Sequence, residues 1–198
     1  MERVIRSAAA ADARAIRDIY APFVTDSATS FETEPPDVSE MARRIDDLRE
    51  KLPWLVYEAD GAVLGYAYAS PHRAARKAYQ WCVETSIYVH SEARKRGVGR
   101  ALYVSLFELL RRQGYANAYA GITLPNAASV SLHESMGFRP VGVYPRIGFK
   151  FGRWHDVAWF QLRLQEAAVP VPDPLPVRDL LADSGVRSML LSNALRAG

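Results

Sequence analysis

Arg94-Lys95-Arg96-Gly97-Val98-Gly99-Arg100-Ala101 is the stretch on which the reading of this chain turns. It follows an apolar run of strand character, Thr85-Ser86-Ile87-Tyr88-Val89, and opens a run with helical spacing from Val98 to Arg112. With glycine at 97 and 99, no Cβ stands between a ligand and the backbone N–H groups of the turn. The helix that follows points the positive end of its dipole at the same spot, a ready anion site. Arg94, Lys95, Arg96 and Arg100 add four cationic side chains to the rim. A ligand carrying a pyrophosphate fits that description; a basic, solvated helix start also fits the motif alone.

Two other phosphate loops are excluded. Gly99 is followed by Arg100-Ala101, so the nucleotide-hydrolase pattern G-x-x-x-x-G-K-[ST] is absent. Leu102 stands where G-x-G-x-x-G needs its third glycine. What remains is R-x-x-G-x-G over Arg94–Gly99, between a strand and a helix.

The chain of 198 residues suffices for one well-packed domain and an appendage. A composition of 49% hydrophobic and 24% charged residues reads as globular. A net charge of +3 is too mild to argue for nucleic acid, and its cluster at Arg73, Arg76, Lys77 and 94–100 suits a small anion. The single Cys82 precludes a disulfide within the chain and sits in an apolar stretch, as a structural thiol does. No leader-like segment is visible at Met1-Glu2-Arg3, and no apolar run approaches the roughly 20 residues of a membrane span. The expectation is a cytoplasmic protein with no membrane partner and no metal.

Outward from the loop, Val4–Ser7 reads as a strand and Asp12 as the cap of a helix carrying Ile16 and Ile19. A long loop over 21–36 follows, then a helix opened by Asp37 and Glu40 and running to about Glu50. Residues 54–58 and 62–69 flank Asp60-Gly61 as a hairpin, and 79–89 is a long strand candidate. Strands are expected at 119–124, 142–144 and 154–164, with a short helix at 126–135 stopped by Gly137. About seven strands and four helices, not regularly alternating, favour an α/β (α+β) mixed sheet flanked by helices over a doubly wound parallel one. After Gln165, Pro170, Pro172, Pro174 and Pro176 enforce extended chain. Val177 to Arg196 then shows helical spacing in Leu180, Leu181, Met189, Leu190 and Leu191, a tail too apolar to be left in water. The expected division is a domain over 1–165 and a Pro-rich linker with a helical tail over 166–198, docked on its own domain or on a partner.

Two further stretches carry chemistry. Glu84 interrupts the otherwise apolar or aromatic strand before the loop, either as a paired structural acid or as a base. Asn126 opens the helix of residues 126–135, as a plain N-cap, as a ligand for a bound cofactor, or as both.

R-x-x-G-x-G between strand and helix resembles the acetyl-CoA pyrophosphate loop of the GCN5-related N-acetyltransferases. Asn126, Gly137 and Phe138 match a second pattern of that superfamily, with His133 where tyrosine is usual. Ser30-Phe31-Glu32-Thr33-Glu34-Pro35, Tyr79, Val83-Glu84, residues 121–126, 148–152 and Trp154-His155-Asp156 resemble one branch in particular. That branch is the phosphinothricin and methionine sulfoximine acetyltransferases, and the likeness covers about residues 3–165. It implies a mostly antiparallel seven-stranded sheet and transfer from acetyl-CoA to the α-amine of a small amino acid or analogue. It further implies a homodimer and a role in detoxification or herbicide resistance. By the same likeness Phe31, Arg76 and Tyr79 line the amino-acid pocket and Glu84 is the general base. Ile87, Tyr88, Val89, Lys95, Arg96, Gly97, Val98, Gly99, Arg100 and Asn126 are implied to hold acetyl-CoA.

An α-amine of pKa about 8 is mostly ammonium at neutral pH, so a carboxylate at 84 has a proton to remove. Arg76 offers a planar fork for a substrate carboxylate. His133 is a candidate to protonate the leaving thiolate. His155 is expected to be structural. An acetyltransferase of protein N-termini or ribosomal proteins, and a catalytically silent CoA-binding regulator, are the competing readings.

Overall fold

The computed structural model describes residues 2–166 and 169–197, so residues 1, 167, 168 and 198 of the two expected segments lie outside the described residues. Its centre is β2 (Trp54–Ala59), which is buried on both faces. Trp54 and Val56 point into one apolar cluster and Leu55 and Tyr57 into the other, as the two-residue period of a strand requires. One face is covered by α1 (Ala13–Thr25) and α2 (Val38–Arg49), through Ile16, Ile19, Tyr20, Met41 and Ile45. The other is covered by α3 (Val98–Gln113), through Leu102, Leu106, Leu109 and Leu110.

The remaining strands are β1 (Arg3–Ser7), β3 (Ala62–Pro71), β4 (Cys82–Val89), β5 (Asn117–Thr123), β6 (Arg139–Lys150) and β7 (Arg153–Arg163). The seven form one sheet in the order β1-β2-β3-β4-β5-β7-β6. Every neighbouring pair is antiparallel except β4–β5. The expected mixed, mostly antiparallel sheet is what the chain forms. Six α-helices accompany it among the described residues; α4 (Ala127–Ser135) is followed by two in the tail, α5 (Val177–Leu181) and α6 (Ser184–Leu195).

Several boundaries differ from expectation for physical reasons. The strand expected over 79–89 begins only at Cys82, because Lys77–Tyr79 closes a 3₁₀ turn. The strand expected at 142–144 extends over Arg139–Lys150; Pro140 and Pro145 are tolerated because β6 is an edge strand. Asp12 precedes α1 but does not cap it: its carboxylate takes a forked pair of bonds from Arg6 and one from the Ala9 N–H.

The tail lies on its own chain. Val177, Val186, Leu190, Ala194 and Ala197 are buried in the cluster that α3 covers. Polar bonds fasten it: Trp81 Nε1 to Pro172 O at 2.8 Å, Gln113 Nε2 to Leu175 O at 2.6 Å, and Tyr57 Oη to Ala194 O at 3.2 Å. Leu191, one of the apolar residues expected to be covered, is 48% exposed; the buried stripe runs 186, 190, 194, 197.

Candidate active site

The sheet opens where β4 and β5 meet. They pair only at Cys82↔Asn117, Val83↔Ala118 and Glu84↔Tyr119. Beyond Glu84 they part, and a cleft forms between residues 85–88 and residues 120–123. The β5-facing edge of β4 therefore carries backbone groups with no ladder partner, available to a ligand. Ile87 and Val89 turn their side chains towards the α3 side. Tyr88 packs the other way, its ring 5.0 Å from Tyr20 and 5.1 Å from Phe23. These three residues can meet a ligand in the cleft mainly through main chain.

The basic loop lies just beyond the end of β4. Lys95 (φ 61°) and Gly97 (φ 75°) are left-handed, and α3 starts at Val98. Gly97 is the residue for which that conformation costs least. Arg94, Lys95, Arg96 and Arg100 are exposed, and the Arg94 guanidinium lies 5.5 Å from the centre of the Phe23 ring. Val98 is buried, so only its backbone faces the loop. Gly99 is the second residue of α3. A Cβ there would lie 3.5 Å from Ile87 Cδ1 and Leu132 Cδ2, facing the sheet and not the loop mouth.

At the deep end of the cleft stand Tyr103, Asn126 and His133. Asn126 Oδ1 caps α4 through Ser129 N at 3.1 Å, which leaves its amide nitrogen as the free polar end. His133 is 3% exposed and both ring nitrogens are engaged. Nδ1 meets Ser129 O at 2.7 Å, so it carries the proton, and Nε2 accepts from the Tyr103 hydroxyl at 2.9 Å. Burial lowers the pKa of His133, against the opposing Ser129 carbonyl bond, and raises that of the Tyr103 hydroxyl.

Glu84 sits on the last paired rung before the opening. Its Oε1 is 2.8 Å from His72 Nδ1. The His72 ring stacks on Tyr119 at 4.9 Å and meets Tyr79 edge-on at 5.6 Å, with Trp159 at 6.4 Å. The Trp159 ring occupies the space beside Gly121, where a Cβ would lie 3.4 Å from it. Arg76 is exposed and precedes the 3₁₀ turn that carries Tyr79.

Phe31 belongs to another wall. Its ring covers Gly148, where a Cβ would lie 2.3 Å from Cζ, and its centre is 6.1 Å from that of His155. The loop bearing Phe31 is clamped from below by Lys150, whose buried Nζ donates to Ser30 O and Glu32 O, both at 2.8 Å, and to Val24 O. His155 and Trp159 lie on one face of β7, so that strand links the Phe31 wall to the Glu84 wall.

The model of the acetyltransferase (GNAT) domain matches residues 5–159. The chain belongs to the GNAT acetyltransferases. It is 40% identical over 174 residues to phosphinothricin N-acetyltransferase of Streptomyces viridochromogenes, covering 88% of this chain and 92% of that one. It is 38% identical over 168 residues to the L-methionine sulfoximine/L-methionine sulfone acetyltransferase of Salmonella typhimurium, covering 84% and 97%. A crystal structure of a phosphinothricin acetyltransferase from Sinorhizobium meliloti in complex with AcCoA superposes with a TM-score of 0.80. It is 38% identical, covering 88% of this chain and 94% of that one.

In this acetyltransferase the fold brings Glu84 next to Tyr79 through His72, and the basic loop to the mouth of the opened sheet. It sets Phe31 apart, on the β6–β7 side. Sequence reading missed His72 and Lys150. Pro71-His72-Arg73 reads as an ordinary polar turn. Aligning the β3–β4 hairpin would have found the histidine, because Ser70 opposes Glu84 and His72 follows two residues later. Lys150 lies in the stretch 148–152 that carries the resemblance, but nothing in the sequence marks its role, since a lysine is rarely buried and its three partners are backbone carbonyls distant in sequence.

Proposed function

We propose that this acetyltransferase carries the acetyl group of acetyl-CoA to the α-amine of a small amino acid or analogue, such as L-phosphinothricin, methionine sulfoximine or methionine sulfone. The observation that carries the reading is the position of Glu84. A carboxylate on the last paired rung stands where an acceptor amine would meet a thioester lying between the parted strands. Acetyl-CoA, when bound, supplies the activated acetyl group. The loop residues Arg94, Lys95, Arg96, Gly97, Val98, Gly99 and Arg100 fit its pyrophosphate, by charge and by the N–H groups at the start of α3. The open edge of β4 over Ile87, Tyr88 and Val89 fits the pantetheine chain, and Asn126 offers its amide nitrogen beside it.

Glu84 accepts a proton from the substrate ammonium, which frees the nitrogen lone pair to attack the thioester carbon. Backbone N–H groups on β4 receive the charge that develops on the carbonyl oxygen. As the C–S bond breaks, the thiolate keeps the electron pair and takes a proton from solvent. In its neutral form His133 donates from Nδ1 to Ser129 O and accepts from Tyr103 at Nε2, so the pair shapes the wall of the cleft and has no proton to give the thiolate. Arg76 receives the substrate carboxylate, while Tyr79 and Phe31 bound the side-chain pocket from two sides. Holding both substrates in register supplies about 7–11 kcal/mol in a well-aligned case.

The edge strand supports assembly as a homodimer. On β6, Val141, Val143, Ile147 and Phe149 are all more than half exposed, an apolar ribbon of the kind a second copy covers. The reading places the enzyme in the cytoplasm, with residues to 165 as its catalytic part and the rest as an appendage.

The test is thiol release from acetyl-CoA with a panel of amino acids, methionine sulfone, methionine sulfoximine and phosphinothricin. Turnover confined to acceptors with a free α-amine and carboxylate is expected. Turnover only with peptide N-termini would replace this reading.

A further inference from the structure

Glu84 does not stand alone, and its partner is built into the site with unusual care. Pro71 ends β3, and the next residue, His72, bonds through its backbone N–H to Cys82 O at 3.3 Å. That fixes the Cα of His72 beside the start of β4. Its ring is then held on three sides, stacked on Tyr119 and edge-on to Tyr79 and Trp159. A ring so confined has little rotamer freedom left, and the one polar contact made by Nδ1 is Glu84 Oε1 at 2.8 Å. The His72 side chain is 16% exposed, against 38% for Glu84. The histidine is therefore the inner member of the pair and the carboxylate the outer one.

We propose that His72 is the positioning residue for Glu84. Resting on the reading of Glu84 as the base, it donates from Nδ1–H to Oε1 and turns the other oxygen, Oε2, towards the acceptor amine. A glutamate has three rotatable side-chain bonds, and among the described residues no other hydrogen bond holds this carboxylate to one rotamer. The bond to His72 replaces that freedom with a single orientation before the substrate arrives. The rotamer of His72 is itself set by packing on three aromatic rings, which is how a supporting residue keeps a reactive group within a fraction of an ångström of its working place. His72 touches no reacting atom in this scheme; it acts through Glu84.

The two natural replacements separate this role from plain packing. His72→Phe keeps an aromatic disc against Tyr119 and loses the donor. His72→Asn puts an amide N–H close to the place of Nδ1 and loses most of the ring. With the full chain, acetyl-CoA and methionine sulfoximine, His72→Phe should lower kcat by about 10–100-fold, the effect of a misplaced reactive group, with the KM for acetyl-CoA within about twofold. His72→Asn should recover most of that loss. In a Glu84→Gln background, His72→Phe should cost less than about twofold more, because two residues that act as a unit are not additive.

A kcat within twofold of the parent for His72→Phe overturns the proposal. So does an Asn variant no better than Phe, or a loss that multiplies fully in the Glu84→Gln background. Full activity of Glu84→Gln itself would instead overturn the reading of Glu84 as base. Should the parent turn over none of the panel, ¹⁵N NMR of the His72 ring still decides the contact. The expected result is a protonated Nδ1 in the parent and a mixture of tautomers in Glu84→Leu; identical ring spectra in the two would remove the pairing.

Discussion

The two sides of the cleft are made of different material. The α3 side is backbone: a left-handed Gly97, the first N–H groups of α3 and the unpaired edge of β4. All of it comes from residues 85–100, one unbroken piece of chain. The other side, proposed for the acceptor, is made of side chains drawn from distant segments: Phe31, His72, Tyr79, Glu84, Tyr119 and Trp159, with Lys150 and His155 behind Phe31. Recognition by backbone needs a fixed local conformation, so it leaves a short pattern of glycines and charges. Recognition by side chains needs only that the fold bring them together, so it leaves no local pattern at all.

The largest effect tests the meeting point of the two sides. Glu84→Gln should lower kcat by about 10²–10⁴-fold, the usual worth of a general base, while the KM for acetyl-CoA stays near that of the parent. The deficit should shrink as pH rises, because more of the amine is then already free. A variant whose pH–rate profile overlays the parent's removes Glu84 from this role.

Next in size is a contrast within the backbone side. Gly97 is left-handed, and a side chain in that conformation costs about 1–2 kcal/mol, more with a branched Cβ. Gly97→Val should therefore distort the entry to α3 and raise the KM for acetyl-CoA by about tenfold or more, since about 1.4 kcal/mol is one factor of ten. Gly99 has an ordinary helical backbone, and its missing Cβ would meet Ile87 and Leu132 at ordinary contact distance. Gly99→Ala should shift that KM by less than about threefold and raise the melting temperature slightly, alanine being favoured in helices by about 0.5–1 kcal/mol. Equal damage from both substitutions would mean that the loop acts through close approach of both glycines after all.

What the sequence makes legible divides along the same line. The sheet class, α2 with its Asp37 cap, α3 with its Gly114 stop, and the placement of the basic loop between β4 and α3 were all legible, because each rests on periodicity or a local cap. Of the twelve residues of β6 the sequence pattern marks only three, 142–144. Its two prolines and the left-handed Arg146 look like breaks, and only the edge position makes them admissible. His72 and Lys150 were invisible because their importance lies in partners that are remote in sequence or are backbone carbonyls.

Lys150 offers the corresponding test of the acceptor side. Its ammonium ties two carbonyls of the Phe31 loop to Val24 O of α1, and Tyr20 and Arg44 hold the same loop through Glu32. Lys150→Met fills the space and removes the donors. Bonds to a charged group are worth about 1.5–3 kcal/mol each, so loss of the clamp should raise the KM for the amino acid by about tenfold. The KM for acetyl-CoA should not move. If both constants rise together the lysine supports the whole domain, and if neither moves the loop is held without it.

The smallest effect concerns stability and lies at the deep end of the cleft. His133 is enclosed, and burial depresses its pKa below the ordinary value of about 6.5, despite the opposing bond to Ser129 O. As pH falls through that ordinary value the unfolded chain takes up a proton that the folded chain refuses. Stability is thus complete above it and is lost progressively down to the folded pKa, where both states are charged and the loss stops. The other shifted acids do not share this window. Bonds from Arg6 hold Asp12 below its usual range against the cost of burial, and bonds from Arg44 and Tyr20 do so for Glu32 against a larger cost. Their contribution persists until the pH falls below that of an ordinary carboxylate, about 4. Between pH 7.5 and 5.5 the parent should therefore lose more melting temperature than His133→Gln, which cannot titrate, whatever the starting stability of the variant. Parallel slopes would show that the ring charges as freely in the folded chain as in the unfolded one, and that the Tyr103–His133 pair is open to water.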